Sequence, residues 1–152
     1  MNMILTRRHF LRAGSFLGLA GFFALESCER IFEPSPIQPQ LTFQELESGC
    51  ASSEETAQLQ GASGQIKLSG MMHTPTPCYH LQADLVTLRC GSSRCVNTYQ
   101  IAITAKAQDG ACIECVGSIH YRGEIRGLAP GDYTIGVTHD GRRIASELVH
   151  VS

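Results

Sequence analysis

The stretch Ile119-His120-Tyr121-Arg122-Gly123-Glu124-Ile125-Arg126 has the clearest two-residue periodicity in this 152-residue chain. Its odd-numbered positions are apolar or small, and its even-numbered positions are charged or carry an imidazole. Successive side chains of a β-strand point to opposite faces, so such a pattern buries one face and leaves the other in water. The stretch therefore predicts a half-buried β-strand.

Similar alternation recurs from residue 65 onward, in shorter stretches that are separated by turn residues. The alternating stretches lie at 66–70, 79–85, 99–105, 133–137 and 145–151. The turn residues are Gly91-Ser92-Ser93, Asp109-Gly110, Ala129-Pro130-Gly131-Asp132 and Asp140-Gly141. Short strands at this spacing predict an all-β fold, a small antiparallel immunoglobulin-like sandwich of six to seven strands over residues 65–152.

One turn carries a family resemblance. The run Gly127-Leu128-Ala129-Pro130-Gly131-Asp132-Tyr133-Thr134-Ile135, followed by Val137, resembles a corner of carboxypeptidase-regulatory-like and transthyretin-like sandwiches. The resemblance implies that the Pro-Gly turn starts a strand whose tyrosine packs over the end of the sheet. It supports the fold class and names no activity.

The N-terminal 27 residues predict a helical export signal. Thr6-Arg7-Arg8-His9-Phe10-Leu11-Arg12 precedes an uncharged apolar run from Ala13 to Leu25. That run of 13 residues is shorter than the ~18–20 needed to span a bilayer. The motif resembles the twin-arginine translocation signal, with Arg7, Arg8, Phe10 and Leu11 at the matching positions. The resemblance implies the twin-arginine export machinery as a partner and a cargo that folds before export.

The segment Leu25-Glu26-Ser27-Cys28 resembles a bacterial lipobox. The resemblance implies that Cys28 receives a lipid and becomes the mature N-terminus. It predicts a protein that is anchored to a cell membrane and faces the periplasm or the cell exterior. The alternative is an unmodified Cys28 thiol behind a signal that is cut elsewhere or left in place.

Residues 28–64 predict a tether between the anchor and the sandwich. Pro34, Pro36 and Pro39 favour extended chain, and the segment 47–63 is rich in Ser, Gln, Glu and Gly without apolar periodicity. The short run Leu41–Leu46 fits either an edge strand or one helical turn.

The charge of the mature chain narrows the class of partner. Residues 28–152 hold nine Lys and Arg against 13 Asp and Glu, a net charge of −4. Nucleic acids and anionic membrane surfaces need clustered positive charge, so this balance argues against both as general partners.

Six cysteines follow Cys28, and an even number in a small exported domain predicts a disulfide framework. The six are Cys50, Cys78, Cys90, Cys95, Cys112 and Cys115. Of the 15 possible pairings, facing positions across a hairpin favour Cys90 with Cys95. Cys78 is then expected to join either Cys112 or Cys115, and Cys50 the remaining one.

Two alternatives assign chemistry to these residues. Cys112-Ile113-Glu114-Cys115 has the C-x-x-C spacing of thiol oxidoreductases. His73, His80, Cys112 and Cys115 together offer soft ligands for copper or zinc.

Known catalytic motifs are missing, since the sequence has no G-x-S-x-G elbow and no phosphate-cradling loop. The favoured hypothesis is therefore an envelope lipoprotein without a cofactor. Its sandwich would serve as a binding or structural module for an envelope protein or a small ligand.

Overall fold

The structure, a computed structural model, describes residues 38–51 and 53–152. Over these residues the chain forms eight β-strands and no helix. The strands are β1 (Gln40–Cys50), β2 (Thr56–Ala62), β3 (Gln65–Thr74), β4 (Tyr79–Cys90), β5 (Ser93–Ala107), β6 (Gly117–Arg126), β7 (Gly131–His139) and β8 (Arg142–Val151). A membrane-spanning helix is accordingly not found within 38–51 and 53–152. The predicted all-β class is confirmed.

Two four-stranded sheets form the sandwich, with the orders β1-β6-β3-β2 and β4-β5-β7-β8. Residues 65–152 hold six of the eight strands, β3 to β8, as predicted, and β1 and β2 lie before that range. Five of the six strand pairings within the described residues are antiparallel, as predicted, and the sixth is parallel, between β5 and β7 from Thr98 to Ile103. The chain places β6 in the other sheet before it returns as β7, and this long crossover permits the parallel pairing.

The alternating stretch at 119–126 is β6, which lies between β1 and β3 in the first sheet. Ile119, Tyr121 and Ile125 are buried, whereas His120, Arg122 and Arg126 are exposed. The opposite sheet contributes the facing half of the core, including Ile101, Ile103, Ile135 and Val137. The period-two pattern therefore separates the core face from the outer face of this sheet, as predicted.

The predicted tether over residues 28–64 is wrong for residues 40–50 and 56–62, which form β1 and β2. Leu41 and Phe43 pack against the core, and β1 pairs with β6 from Gln40 to Cys50 with a bulge after Glu45. In β2 a side chain at Gly61 would collide with the His150 carbonyl of β8, so bulky residues are excluded there. The half-buried positions of β2 are Ala57, Leu59 and Gly61, which alternate with exposed polar residues, so the apolar signal of this strand rests mostly on small residues.

All six cysteines within the described residues are paired, which confirms the disulfide framework. The pairs are Cys50–Cys115, Cys78–Cys112 and Cys90–Cys95, with Cα separations of 5.7, 5.9 and 5.1 Å. The first two attach the connection between β5 and β6 to the end of β1 and to the connection between β3 and β4, at one end of the sandwich. The third closes the tip of the β4–β5 hairpin and is the pair that the hairpin spacing favoured.

Two predicted turns shape the second sheet. Gly131 begins β7 after the Pro-Gly turn, and the buried Tyr133 donates its hydroxyl proton to the Ala129 carbonyl at 2.9 Å. Asp140 and Gly141 have φ angles of 44° and 82° and form the two-residue loop between β7 and β8. Positive φ at both positions matches a type I′ turn, for which Asp-Gly is a preferred pair.

The predicted export signal (1–27), with Arg7, Arg8, Phe10 and Leu11, lies outside the described residues, as does the lipidation site Cys28. These assignments stay predictions.

Candidate functional site

A polar groove runs across the outer face of the β1-β6-β3-β2 sheet. It has a volume of about 1070 Å³, and all four strands contribute to it. Its outward side chains are Thr42, Gln44, Gln58, Gln60, Lys67, Ser69, Arg122, Glu124 and Arg126. Phe43, Leu59 and Leu68 also line the groove but belong to the core side of the sheet, so its outward groups offer hydrogen bonds and charge.

Strand register arranges the groove into two rows. One row holds Gln44, Arg122, Ser69 and Gln58, and the next holds Thr42, Glu124, Lys67 and Gln60. Neighbouring strands are about 4.8 Å apart, so each row of four side chains spans roughly 14 Å. The groove therefore presents a regular grid of donors and acceptors to an extended ligand.

The three cations of the groove are in different environments. The Arg122 guanidinium donates from Nε and Nη2 to Gln44 Oε1 at 2.9 and 2.6 Å, which orients it and leaves further N–H groups available. Arg126 is paired with Glu124 Oε2 at 2.8 and 2.6 Å. Lys67 forms no salt bridge with any residue of the described ranges. Glu124 is opposite Lys67 in the strand register but bonds to Arg126, and Lys67 and Arg122 are diagonal neighbours. Among the described residues, the groove therefore holds three cations, Lys67, Arg122 and Arg126, against the single carboxylate of Glu124.

A second polar cluster is buried between the sheets around Tyr121 and His139. The Tyr121 hydroxyl lies 3.2 Å from the Thr56 carbonyl and 2.8 Å from His139 Nε2. The single hydroxyl proton goes either to the Thr56 carbonyl, with the imidazole donating from Nε2, or to His139 Nε2, and the tautomer of His139 decides which. His139 Nδ1 has no hydrogen-bond partner within the described chain.

Glu55 lies beside this cluster and connects it to the edge of the sandwich. Its Oε1 is 3.8 Å from His139 Nδ1 and accepts the His73 backbone N–H at 2.9 Å. Its Oε2 pairs with the exposed Arg142 of β8. The Glu55 side chain is only 9% exposed, so this ion pair joins the segment before β2 to the second sheet.

Burial controls the protonation of the cluster. Burial raises the pKa of Tyr121 well above its ordinary value of 10. It also lowers the pKa of His139 from 6.5 to about 4, an effect that Asp140 opposes and His73 reinforces. Both groups are neutral near pH 7, and both are closed off from solvent by the core. The cluster therefore has the properties of a structural element joining β6 to β7.

Replacing Tyr121 by Phe is expected to lower the free energy of unfolding by about 1 to 2 kcal/mol, because His139 Nε2 would be buried without a partner. Urea unfolding at pH 7 measures this change. Tyr99→Phe is the matched control, since none of the described residues hydrogen-bonds to the Tyr99 hydroxyl. Equal stability of the two variants would contradict the assignment.

The structure does not bring together the residues of the alternative metal site. His73 Nε2 is bonded to the Ser53 carbonyl at 2.7 Å, His80 is exposed on β4, and Cys112 and Cys115 are in different disulfides. Within 38–51 and 53–152, no three His, Cys, Asp or Glu side chains form a group that could hold a metal ion. The C-x-x-C cysteines are bonded to Cys78 and Cys50 rather than to each other, so neither is a free thiol while these bonds are intact.

Sequence reasoning missed the groove, although its signal is present in the sequence. The outward residues of β6 alternate with its core residues, and they identify one strand of the polar face. The pairing of β6 with β1 and β3, which assembles the rows, is not readable from any one strand.

Comparisons with known proteins give no relative for this chain. No protein-family model, no curated protein and no solved structure matches it.

Proposed function

We propose that this chain is an exported envelope protein, anchored to a membrane through Cys28, whose sandwich binds an acidic polysaccharide in the groove. The predicted export signal and the lipobox-like segment support this localisation, and the three disulfides fit an oxidising compartment. The ligand class rests on one observation, which is the pair of diagonal cations, Lys67 and Arg122, within a grid of amide and hydroxyl groups.

An acidic polysaccharide matches this surface in both charge and hydrogen bonding. Its carboxylates would pair with Lys67 and with the remaining N–H groups of Arg122. Its hydroxyls would bond to the amides of Gln58 and Gln60 and to the Ser69 hydroxyl. An extended polymer can occupy successive rows, which a compact ligand cannot do.

The anchor is tested by the intact mass of the protein extracted from membranes, with thiol alkylation before and after reduction. We expect an N-terminus at Cys28 that carries lipid mass, and no alkylation before reduction. Two thiols that alkylate without reduction and map to Cys112 and Cys115 would instead favour redox chemistry.

The ligand class is tested with alginate, a polyuronate, against neutral dextran. We expect alginate to bind and dextran not to bind, and Lys67→Ala with Arg122→Ala to weaken alginate binding at least tenfold, equivalent to about 1.4 kcal/mol. The matched control is Lys106→Ala with Arg143→Ala, which removes two exposed cations outside the groove. Equal losses from both double variants, or no preference for alginate, would overturn the groove assignment.

A further inference from the structure

The β4–β5 hairpin extends past the end of the sandwich. The parallel pairing of β5 with β7 starts at Thr98, and Ser93 lies five residues farther toward the tip. The Asn97 side chain still donates to the Asp132 carbonyl of β7 at 3.2 Å, so the hairpin continues beyond this contact for the four residues 93–96, roughly 13 Å at about 3.3 Å per residue. The Cys90–Cys95 bond closes this projection, so its tip is held in one conformation.

The tip concentrates positive charge in a domain that is negative overall. Arg89 and Arg94 are directly opposite each other in the strand register, and both are exposed. Like charges in this position destabilise a hairpin unless an anion lies near them. Neither arginine forms a salt bridge with a residue in 38–51 or 53–152. The segment 86–98 contains no acidic residue.

Exposed apolar side chains accompany the two arginines. Val96 is 85% exposed and Val86 is 42% exposed. Basic and apolar side chains side by side are the combination that binds the interface of an anionic bilayer. The tip has this composition although the net charge of the domain argues against general adsorption.

The start of the domain lies at the same end as the hairpin. Pro39 shares a small surface cavity with Tyr99, Leu128 and Tyr133, near the base of the projection. Only nine residues lie between Cys28 and Gln38, and the ten steps from one to the other span at most about 35 Å. A lipid on Cys28 would therefore hold this end of the sandwich close to the membrane.

We propose that the tip of the β4–β5 hairpin, with Arg89, Arg94 and Val96, contacts the anionic headgroups of the membrane that carries the anchor. This inference rests on the proposed anchoring, and it assigns the orientation of the domain. The cysteine-rich end with Cys50 and Cys78 then faces away from the bilayer.

The test uses residues 28–152 with Cys28→Ser, so that no acyl chain contributes to binding. The natural chain has no Trp, so Val96→Trp places a single fluorescent reporter at the tip. We expect a blue shift with phosphatidylglycerol-containing vesicles, no shift with pure phosphatidylcholine vesicles, and loss of the shift at high salt. Ile113 is 70% exposed and lies at the opposite end of the sandwich, between β5 and β6. A Trp at this position (Ile113→Trp) is expected to show no shift.

Charge reversal completes the test. Arg89→Glu with Arg94→Glu is expected to lower partitioning onto the anionic vesicles at least tenfold, whereas Lys106→Glu with Arg143→Glu leaves it unchanged. Equal shifts at positions 96 and 113, or no shift with any vesicle, would overturn the proposal; the second result is also expected if the tip binds only an acidic protein. The anchor itself is judged separately from the lipid mass on Cys28, so the two proposals can fail independently.

Discussion

Replacing both Cys50 and Cys115 by Ser is expected to lower the free energy of unfolding by about 4 kcal/mol. The bond joins residues 65 positions apart, so its removal releases a long loop in the unfolded chain. In the native state it also holds the end of β1 against the start of β6, where the Ala51 N–H donates to the Val116 carbonyl at 2.7 Å. Urea unfolding of both proteins at pH 7 measures the difference.

Cys90→Ser with Cys95→Ser is the matched control for this prediction. Its bond closes a loop between residues only five apart, and its removal is expected to cost about 2 kcal/mol. The two double variants should therefore unfold in a fixed order, with the Cys50/Cys115 variant first. The reverse order would show that the connection between β5 and β6 does not depend on its disulfide.

The sequence was sufficient to predict the parts of the fold that depend on one strand at a time. Alternation over 119–126 predicts β6 and the face that it buries, and Asp140-Gly141 predicts the tight turn between β7 and β8. The spacing of Cys90 and Cys95 indicates the local disulfide in the same way, since both residues belong to one hairpin.

Features that depend on two distant segments were not predictable in this way. Position 61 of β2 is a glycine because a side chain there would collide with the His150 carbonyl, a constraint imposed by a strand about 90 positions later. The parallel pairing of β5 with β7 likewise depends on the crossover through the other sheet. The buried cluster was not predictable for the same reason. Glu55, Tyr121 and His139 are far apart in sequence, and no local pattern around any of them indicates that they meet.

The two proposed surfaces lie on different parts of the domain and can act together. The groove is on the outer face of the first sheet, whereas the hairpin tip projects from one end of the second sheet. A tip that contacts the bilayer leaves the groove facing sideways and open to a polymer in the surrounding envelope. If the proposed anchoring at Cys28 holds, a domain that begins at Gln40 leaves a shorter connection to the membrane than the predicted tether over 28–64.

The stability of the domain is expected to fall by about 2 kcal/mol between pH 7.5 and pH 5 because His139 is buried in its neutral form. Burial lowers its pKa from 6.5 to about 4, so in this range the unfolded chain takes up a proton that the folded chain does not. Stability is therefore complete above pH 6.5 and is lost progressively as the pH falls toward 4. Urea midpoints at pH 7.5, 6.5, 5.5 and 5 measure the slope.

Titratable or charged groups of the neighbouring segments lie near His139, and their states bear on how the slope of stability against pH should change in variants. Tyr121 of β6 stays neutral, and Glu55 is paired with Arg142 of β8. His73 of β3 donates a hydrogen bond from Nε2 to the Ser53 carbonyl. His139→Gln is expected to flatten the slope, whereas His80→Gln, at an exposed histidine of β4 away from the cluster, should preserve it. A slope that persists in His139→Gln would show that another group titrates. A flat profile in the natural chain would mean that the buried imidazole accepts a proton without opening the core.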